Sequence, residues 1–103
     1  MVTDSNRFYS FVALGKNGTR EDVDRLMQVL ALADDLATIK LVDYALSLVE
    51  TSEGKAMLKQ YLFQGSQAQR NYAALFFKRR GMDEVLETAL AMGLIDREQA
   101  LAK

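Results

Sequence analysis

The chain has 103 residues and a net charge of -1, with 13 Lys and Arg against 14 Asp and Glu, so it has the usual length of one domain and no bulk attraction to nucleic acid or anionic lipid. It contains neither Cys nor His, which removes disulfides and the side chains that most often act as general bases and metal ligands. No apolar stretch approaches the roughly 20 residues of a membrane span and the N-terminus carries no secretory signal pattern, so we expect a cytoplasmic protein without catalytic, cofactor-binding or metal-binding residues.

The pattern of apolar residues predicts an all-α fold. Pro is absent, strong helix formers dominate, and apolar side chains recur with i, i+3, i+4 spacing. We predict helices over residues 4–14, 20–33, 35–50, 53–64, 67–80 and 83–93, followed by a short turn of helix at 97–102. Short connections make neighbouring helices antiparallel, which gives hairpins over 4–33, 35–64 and 67–93 and a C-terminal turn over 96–102, all within one domain of residues 1–103.

Local motifs mark the ends of these helices. We predict that "GKNG" (15–18) forms the turn after the first helix. Three tetrapeptides fit a capping box, in which an N-cap side chain and a later acid or amide satisfy main-chain N–H groups: "TRED" (19–22), "SQAQ" (66–69) and "DREQ" (96–99). Asp83, which follows Gly81, is the predicted cap of the last long helix.

Two segments of the chain repeat with an offset of 28 residues. Residues 43–65 align without a gap on 71–93, which pairs Tyr44 with Tyr72, Ala45 with Ala73, Leu58 with Leu86, Leu62 with Leu90 and Gly65 with Gly93. The segment "RNYAALFFKRRG" (70–81) resembles the short HEAT-like repeat, a helical hairpin of about thirty residues, through Arg70, Ala73, Ala74, Phe77 and Gly81, although that pattern prefers an aliphatic residue at Arg80. The resemblance implies a right-handed α-α superhelix of the HEAT or armadillo type with about three hairpins, and a scaffold role.

The aromatic residues fall mainly on predicted core positions. Phe8 belongs to the apolar stripe of the first helix, and Tyr9 and Tyr44 are interpreted as packing residues. The run from Tyr72 to Phe77 covers more than half of the helical wheel, so we expect Phe76 and Phe77 to be buried.

Cations follow this aromatic run directly and have two interpretations. Lys78, Arg79 and Arg80 fall in the last helical turn, where the helix dipole and the unpaired carbonyls favour positive charge. Alternatively, these three residues and Arg70 form an anion-binding patch, which would make the chain a nucleic-acid-binding domain.

The functional prediction is a non-catalytic protein-protein interaction module whose second helices present their polar sides to another protein, of unknown identity. The predicted protein-binding residues are Arg25, Gln28, Lys59, Gln60, Glu87 and Thr88. Met92, Leu94 and Ile95 form an apolar C-terminal edge that would permit self-association. A third alternative is an accessory domain of a larger enzyme, because residues 21–47 resemble the helical region that follows the catalytic domain in some zinc aminopeptidases.

Overall fold

The computed structural model describes the backbone of residues 3–95 and the side chains of residues 7–95, and this part of the chain is helical without strands. The six helices are α1 (Thr3–Asn17), α2 (Arg20–Leu32), α3 (Leu36–Ser47), α4 (Ser52–Gln64), α5 (Gln67–Arg79) and α6 (Asp83–Ala91). The predicted all-α fold and its six long helices are therefore confirmed. The predicted turn at 97–102 and the capping box at 96–99 lie outside the described residues.

The chain divides into two compact units, Met1–Met57 and Leu58–Lys103, and the boundary falls within α4. In the first unit, α1, α2 and α3 pack against one another. The buried apolar residues of α2 and α3 are Val23, Leu26, Met27, Leu30, Val42, Ala45 and Leu46. They recur at helical spacing, so each helix contributes one continuous stripe to the core.

Gly15 lies inside α1, which corrects the prediction that residues 15–18 form a turn. A Cβ atom at Gly15 would lie 2.8 Å from the carbonyl carbon of Ala45, and closer still to its oxygen. The glycine therefore allows the backbones of α1 and α3 to approach where any side chain would separate them. Of the four residues predicted as a turn, only Gly18 leaves the helix, with φ of 62°, and its N–H donates to the Leu14 carbonyl at 2.9 Å.

Thr51 joins the start of α4 to the turn between α1 and α2. Its hydroxyl oxygen accepts a hydrogen bond from the Gly54 N–H at 2.9 Å, as an N-cap side chain does, and the hydroxyl donates to the Gly18 carbonyl. Gly54 is required at this point, because a Cβ atom there would lie 2.7 Å from the Gly18 oxygen. One side chain thus stabilises a helix start and fixes a neighbouring turn.

In the second unit, α5 packs against α6. Phe76 and Phe77 are buried, as predicted, and their rings meet edge to face with centroids 5.2 Å apart. The capping box at Ser66 and Gln69 is present, as is the one at Thr19 and Asp22. The last turns of α5 and α6 close at Gly81 and Gly93, with φ of 69° and 75°, a backbone conformation that favours glycine.

One aromatic and one capping prediction are wrong. Phe8, which was predicted in the apolar stripe of the first helix, is 41% exposed; Tyr9 and Tyr44, which were predicted as packing residues, are 69% and 48% exposed and contact the Phe8 ring. Amphipathic spacing identifies an apolar face, but it does not establish that a neighbouring helix covers that face. The N-cap of α6 is Met82, not Asp83, and its side chain makes no capping hydrogen bond.

The last residues of α3 also differ from the prediction. The helix ends at Ser47, three residues before the predicted end. Beyond it, the N–H groups of Leu48 and Val49 donate to the carbonyls of Ala45 and Leu46, respectively. These tighter i to i−3 bonds satisfy carbonyls that would otherwise lack partners at the helix end. No helix within residues 3–95 is both long and apolar enough to cross a membrane.

Candidate functional site

The second unit contains an open groove of about 470 Å³ between residues of α4 and residues of α6. It is lined by Lys59, Phe63, Glu84, Val85, Thr88 and Met92, and we call it the α4–α6 groove. Lys59 and Phe63 are one helical turn apart and therefore lie on the same face of α4. Glu84, Thr88 and Met92 are spaced in the same way along α6, so each wall is one stripe of a helix.

The lining of the groove has an apolar part, formed by Phe63, Val85 and Met92, which we call the floor, and two charged residues, Lys59 and Glu84. Phe63 and Val85 are half-buried, whereas the Met92 side chain is 62% exposed. Lys59 on the α4 wall is exposed, with its ammonium nitrogen 6.0 Å from the centroid of the Phe63 ring. Glu84 on the α6 wall is exposed as well. The groove thus offers apolar contact area together with two charges of opposite sign, one on each wall.

The single hydroxyl among the lining residues has a structural partner. The Thr88 hydroxyl donates to the Glu84 main-chain carbonyl at 3.0 Å, one turn earlier in α6. This bond occupies the hydroxyl hydrogen of Thr88 within its own helix.

All six residues predicted to bind a protein are exposed; four belong to the second unit and two to the first. Lys59 and Thr88 line the α4–α6 groove, while Gln60 and Glu87 are not among its lining residues. Arg25 and Gln28 belong to α2 in the first unit, where the Gln28 amide donates to the Asp24 carboxylate at 2.8 Å. Phe63 and Glu84 were not predicted as site residues. The i, i+4 spacing of Lys59 and Phe63 indicates that these two residues share a face of α4, and it could have identified Phe63.

Arg70 in the predicted anion-binding patch has a structural role. Its Nε donates to the Gly65 carbonyl at 2.8 Å and its Nη1 donates to the Leu94 carbonyl at 3.3 Å. These bonds connect the start of α5 to the turn before it and to the segment after α6. Because Arg70 and Lys78 are eight residues apart on one helix, about 12 Å of helix axis separates them.

The other members of that patch lie at the end of α5. Arg79 is exposed, Lys78 and Arg80 are half-buried, and the Arg80 guanidinium carbon lies 4.4 Å from the centroid of the Phe76 ring. A cation this close to an aromatic face is stabilised by the ring. The same cation occupies the C-terminal end of a helix, where the dipole favours it.

The first unit has an exposed aromatic surface formed by Phe8, Tyr9 and Tyr44, of which only Phe8 was predicted to lie in the core. The Phe8 and Tyr44 rings stack with centroids 6.0 Å apart, and Tyr9 meets Phe8 edge to face at 5.6 Å. Phe8 also lines an open groove of about 310 Å³ with Arg7, Ala37 and Leu41. Tyr44 and Leu41 are both on α3, so α1 and α3 together form this surface.

Electrostatic interactions beside this surface stabilise the start of α3. The Thr38 N–H donates to the Asp35 carboxylate at 2.8 Å, which makes Asp35 the N-cap of α3. This bond, a further bond with the Thr38 side chain and the positive charge of Arg7 lower the pKa of Asp35 from its ordinary value. The Arg7 guanidinium also donates to the Thr38 hydroxyl.

Acidic residues of the described chain form no metal site, because no group of three or more Asp or Glu side chains in that part is arranged to hold an ion. Comparisons of the chain with protein-family models, with curated proteins and with solved structures find no match. What the chain binds is therefore inferred from its own surfaces.

Proposed function

We propose that this chain is a non-catalytic protein-interaction module, built from HEAT-like repeats, that holds a segment of a partner protein in the α4–α6 groove. The observation that carries the proposal is the open, mostly apolar groove whose lining includes Phe63, Val85 and Met92 together with the charged residues Lys59 and Glu84. Interfaces generally combine an apolar centre with a polar rim, and this groove has that composition on a small scale.

Met92 is the residue whose contribution to binding is easiest to estimate. Its side chain is 62% exposed in the chain alone. Full burial of such a side chain contributes roughly 1.5–3 kcal/mol, so covering the exposed part is expected to contribute about 1–2 kcal/mol. Because 1.4 kcal/mol corresponds to a tenfold change in affinity, loss of this contact should weaken binding about five- to thirtyfold.

The test compares two variants in which lysine replaces an exposed apolar residue at the end of a helix. Met92→Lys alters the groove, whereas Leu32→Lys alters a residue that is 85% exposed at the end of α2. A lysine is favourable at both positions, because each lies at the C-terminal end of a helix dipole. We therefore expect both variants to fold as the wild type does, as measured by circular dichroism and thermal unfolding.

The measurement is co-purification from native extract with quantitative mass spectrometry, followed by binding of the purified partner. We expect at least one protein whose recovery falls with Met92→Lys and is retained with Leu32→Lys. Equal recovery of every protein by both variants contradicts the proposal. Salt-sensitive binding of RNA that is lost on joint Lys78→Glu and Arg79→Glu substitution contradicts it in favour of a nucleic-acid-binding domain.

A further inference from the structure

The charges on the two walls of the α4–α6 groove define the chemistry of its occupant, an inference that rests on the proposed function. Lys59 lies on the α4 wall and Glu84 on the α6 wall, and Phe63, Val85 and Met92 are the apolar residues of the same lining. An occupant that covers the apolar floor brings its own flanks close to both charges. Leaving either charge covered and unpaired would cost binding free energy, so the occupant should carry the complementary charges.

We propose that the groove binds an amphipathic helix of a partner protein, with an acidic residue on the flank that faces Lys59 and a basic residue on the flank that faces Glu84. A helix with apolar residues at i, i+3, i+4 and i+7 presents one narrow stripe, which matches a groove walled by two helices. The adaptable side chain of Met92 allows the floor to fit different apolar anchors. The groove is open to solvent, which suits a helix better than a small molecule that needs enclosure on most sides.

The two charges also restrict the direction of the bound helix. A helix whose left flank is acidic and whose right flank is basic exchanges these flanks when it is turned end to end. Lys59 and Glu84 therefore select one of the two directions for such a helix, and a helix with like charges on both flanks meets one repulsive contact in either direction. Each exposed pair is expected to change affinity by roughly 1.4- to 5-fold.

A displayed peptide library tests this inference without knowledge of the natural partner. The probe is a set of 16-residue helical peptides with leucine fixed along the stripe and with Lys, Glu or Ala varied on both flanks. The library is selected for binding to the wild-type chain. The clones that occupy the groove are those that lose binding to Met92→Lys and keep binding to Leu32→Lys. We expect these clones to carry Glu on one flank and Lys on the other.

Charge reversal on the protein provides the decisive comparison. With Lys59→Glu, selection should shift to peptides with Lys on both flanks; with Glu84→Lys, it should shift to Glu on both. If groove-dependent clones show no preference for charge on their flanks, or a preference that neither reversal alters, the proposed charge pattern of the bound helix is wrong. The proposed binding of a partner protein would still stand. If no clone depends on Met92, or if the chain forms dimers that Met92→Lys dissolves, the occupant is not a partner helix.

Discussion

Replacement of Gly15 by Ala sets two physical effects of opposite sign against each other. Alanine is favoured over glycine inside a helix by about 0.8–1 kcal/mol, so helix propensity alone predicts a more stable chain. In the structure, however, the added Cβ lies 2.8 Å from the Ala45 carbonyl carbon and still closer to its oxygen. Ordinary contact begins near 3.4 Å, and the obstructing atoms are backbone, so α1 and α3 must separate.

Overpacking of this kind costs roughly 1–3 kcal/mol and sometimes more, and a clash with backbone belongs at the upper end of that range. After the gain in helix propensity, we expect Gly15→Ala to lower the free energy of unfolding by about 2 kcal/mol. The assay is urea unfolding followed by circular dichroism, with Ser10→Ala on the exposed face of α1 as the matched control. A Gly15→Ala variant that is as stable as the control, or more stable, refutes the close approach of α1 and α3.

Three further predictions concern hydrogen bonds that connect parts of one unit. Thr51→Ala removes the cap of α4 and the bond to Gly18, and should cost about 1–2 kcal/mol of unfolding free energy, whereas Thr51→Ser retains the hydroxyl and should cost little. Arg70→Lys cannot reproduce both bonds to main-chain carbonyls, so chemical denaturation should show a loss of about 1–3 kcal/mol, while unchanged stability would mean that Arg70 is not a structural residue. The pKa of Asp35 is lowered in the folded chain, so the stability that Asp35 contributes is present above the ordinary Asp pKa and is lost as pH falls through the folded value. The difference in melting temperature between the wild type and Asp35→Asn should therefore vanish in acid. A difference that stays constant with pH would contradict this origin of the stability.

The helices and the two capping boxes at Thr19 and Ser66 were predictable because their signals are local, whereas the predicted cap at Asp83 was wrong. The apolar spacing that predicted the helix over 67–80 is the spacing that buries Phe76 and Phe77 in α5. The capping boxes at Thr19 and Ser66 each depend on residues only three positions apart. Such patterns act within one or two helical turns, so they are visible in the sequence without knowledge of tertiary contacts.

Features that depend on a second helix were not predictable. Gly15 has the same sequence signature as a glycine that ends a helix, but its role depends on Ala45, thirty residues later in the chain. Phe8 has the spacing of a core residue, and only the three-dimensional structure shows that its side chain is exposed. Arg70 resembled a member of a cationic patch because its carbonyl partners carry no sequence signal.

The candidate site could be predicted only in part, because it also depends on how two helices are placed. Lys59 and Thr88 were identified from polar positions on separate helices, which a repeat of hairpins places on similar faces. Phe63 was assigned to no binding surface and Met92 only to the apolar C-terminal edge, because the sequence does not show that α4 and α6 leave a groove between them. The stacking of the hairpins into a right-handed superhelix stays a prediction.

The affinity of the purified partner for matched variants tests the binding function most directly. Isothermal titration of the wild type, Met92→Lys and Leu32→Lys compares a groove residue with an exposed apolar residue in the other unit. We predict that Met92→Lys weakens binding about five- to thirtyfold and that Leu32→Lys leaves the dissociation constant unchanged. Equal dissociation constants for the two variants would contradict a functional role for the α4–α6 groove.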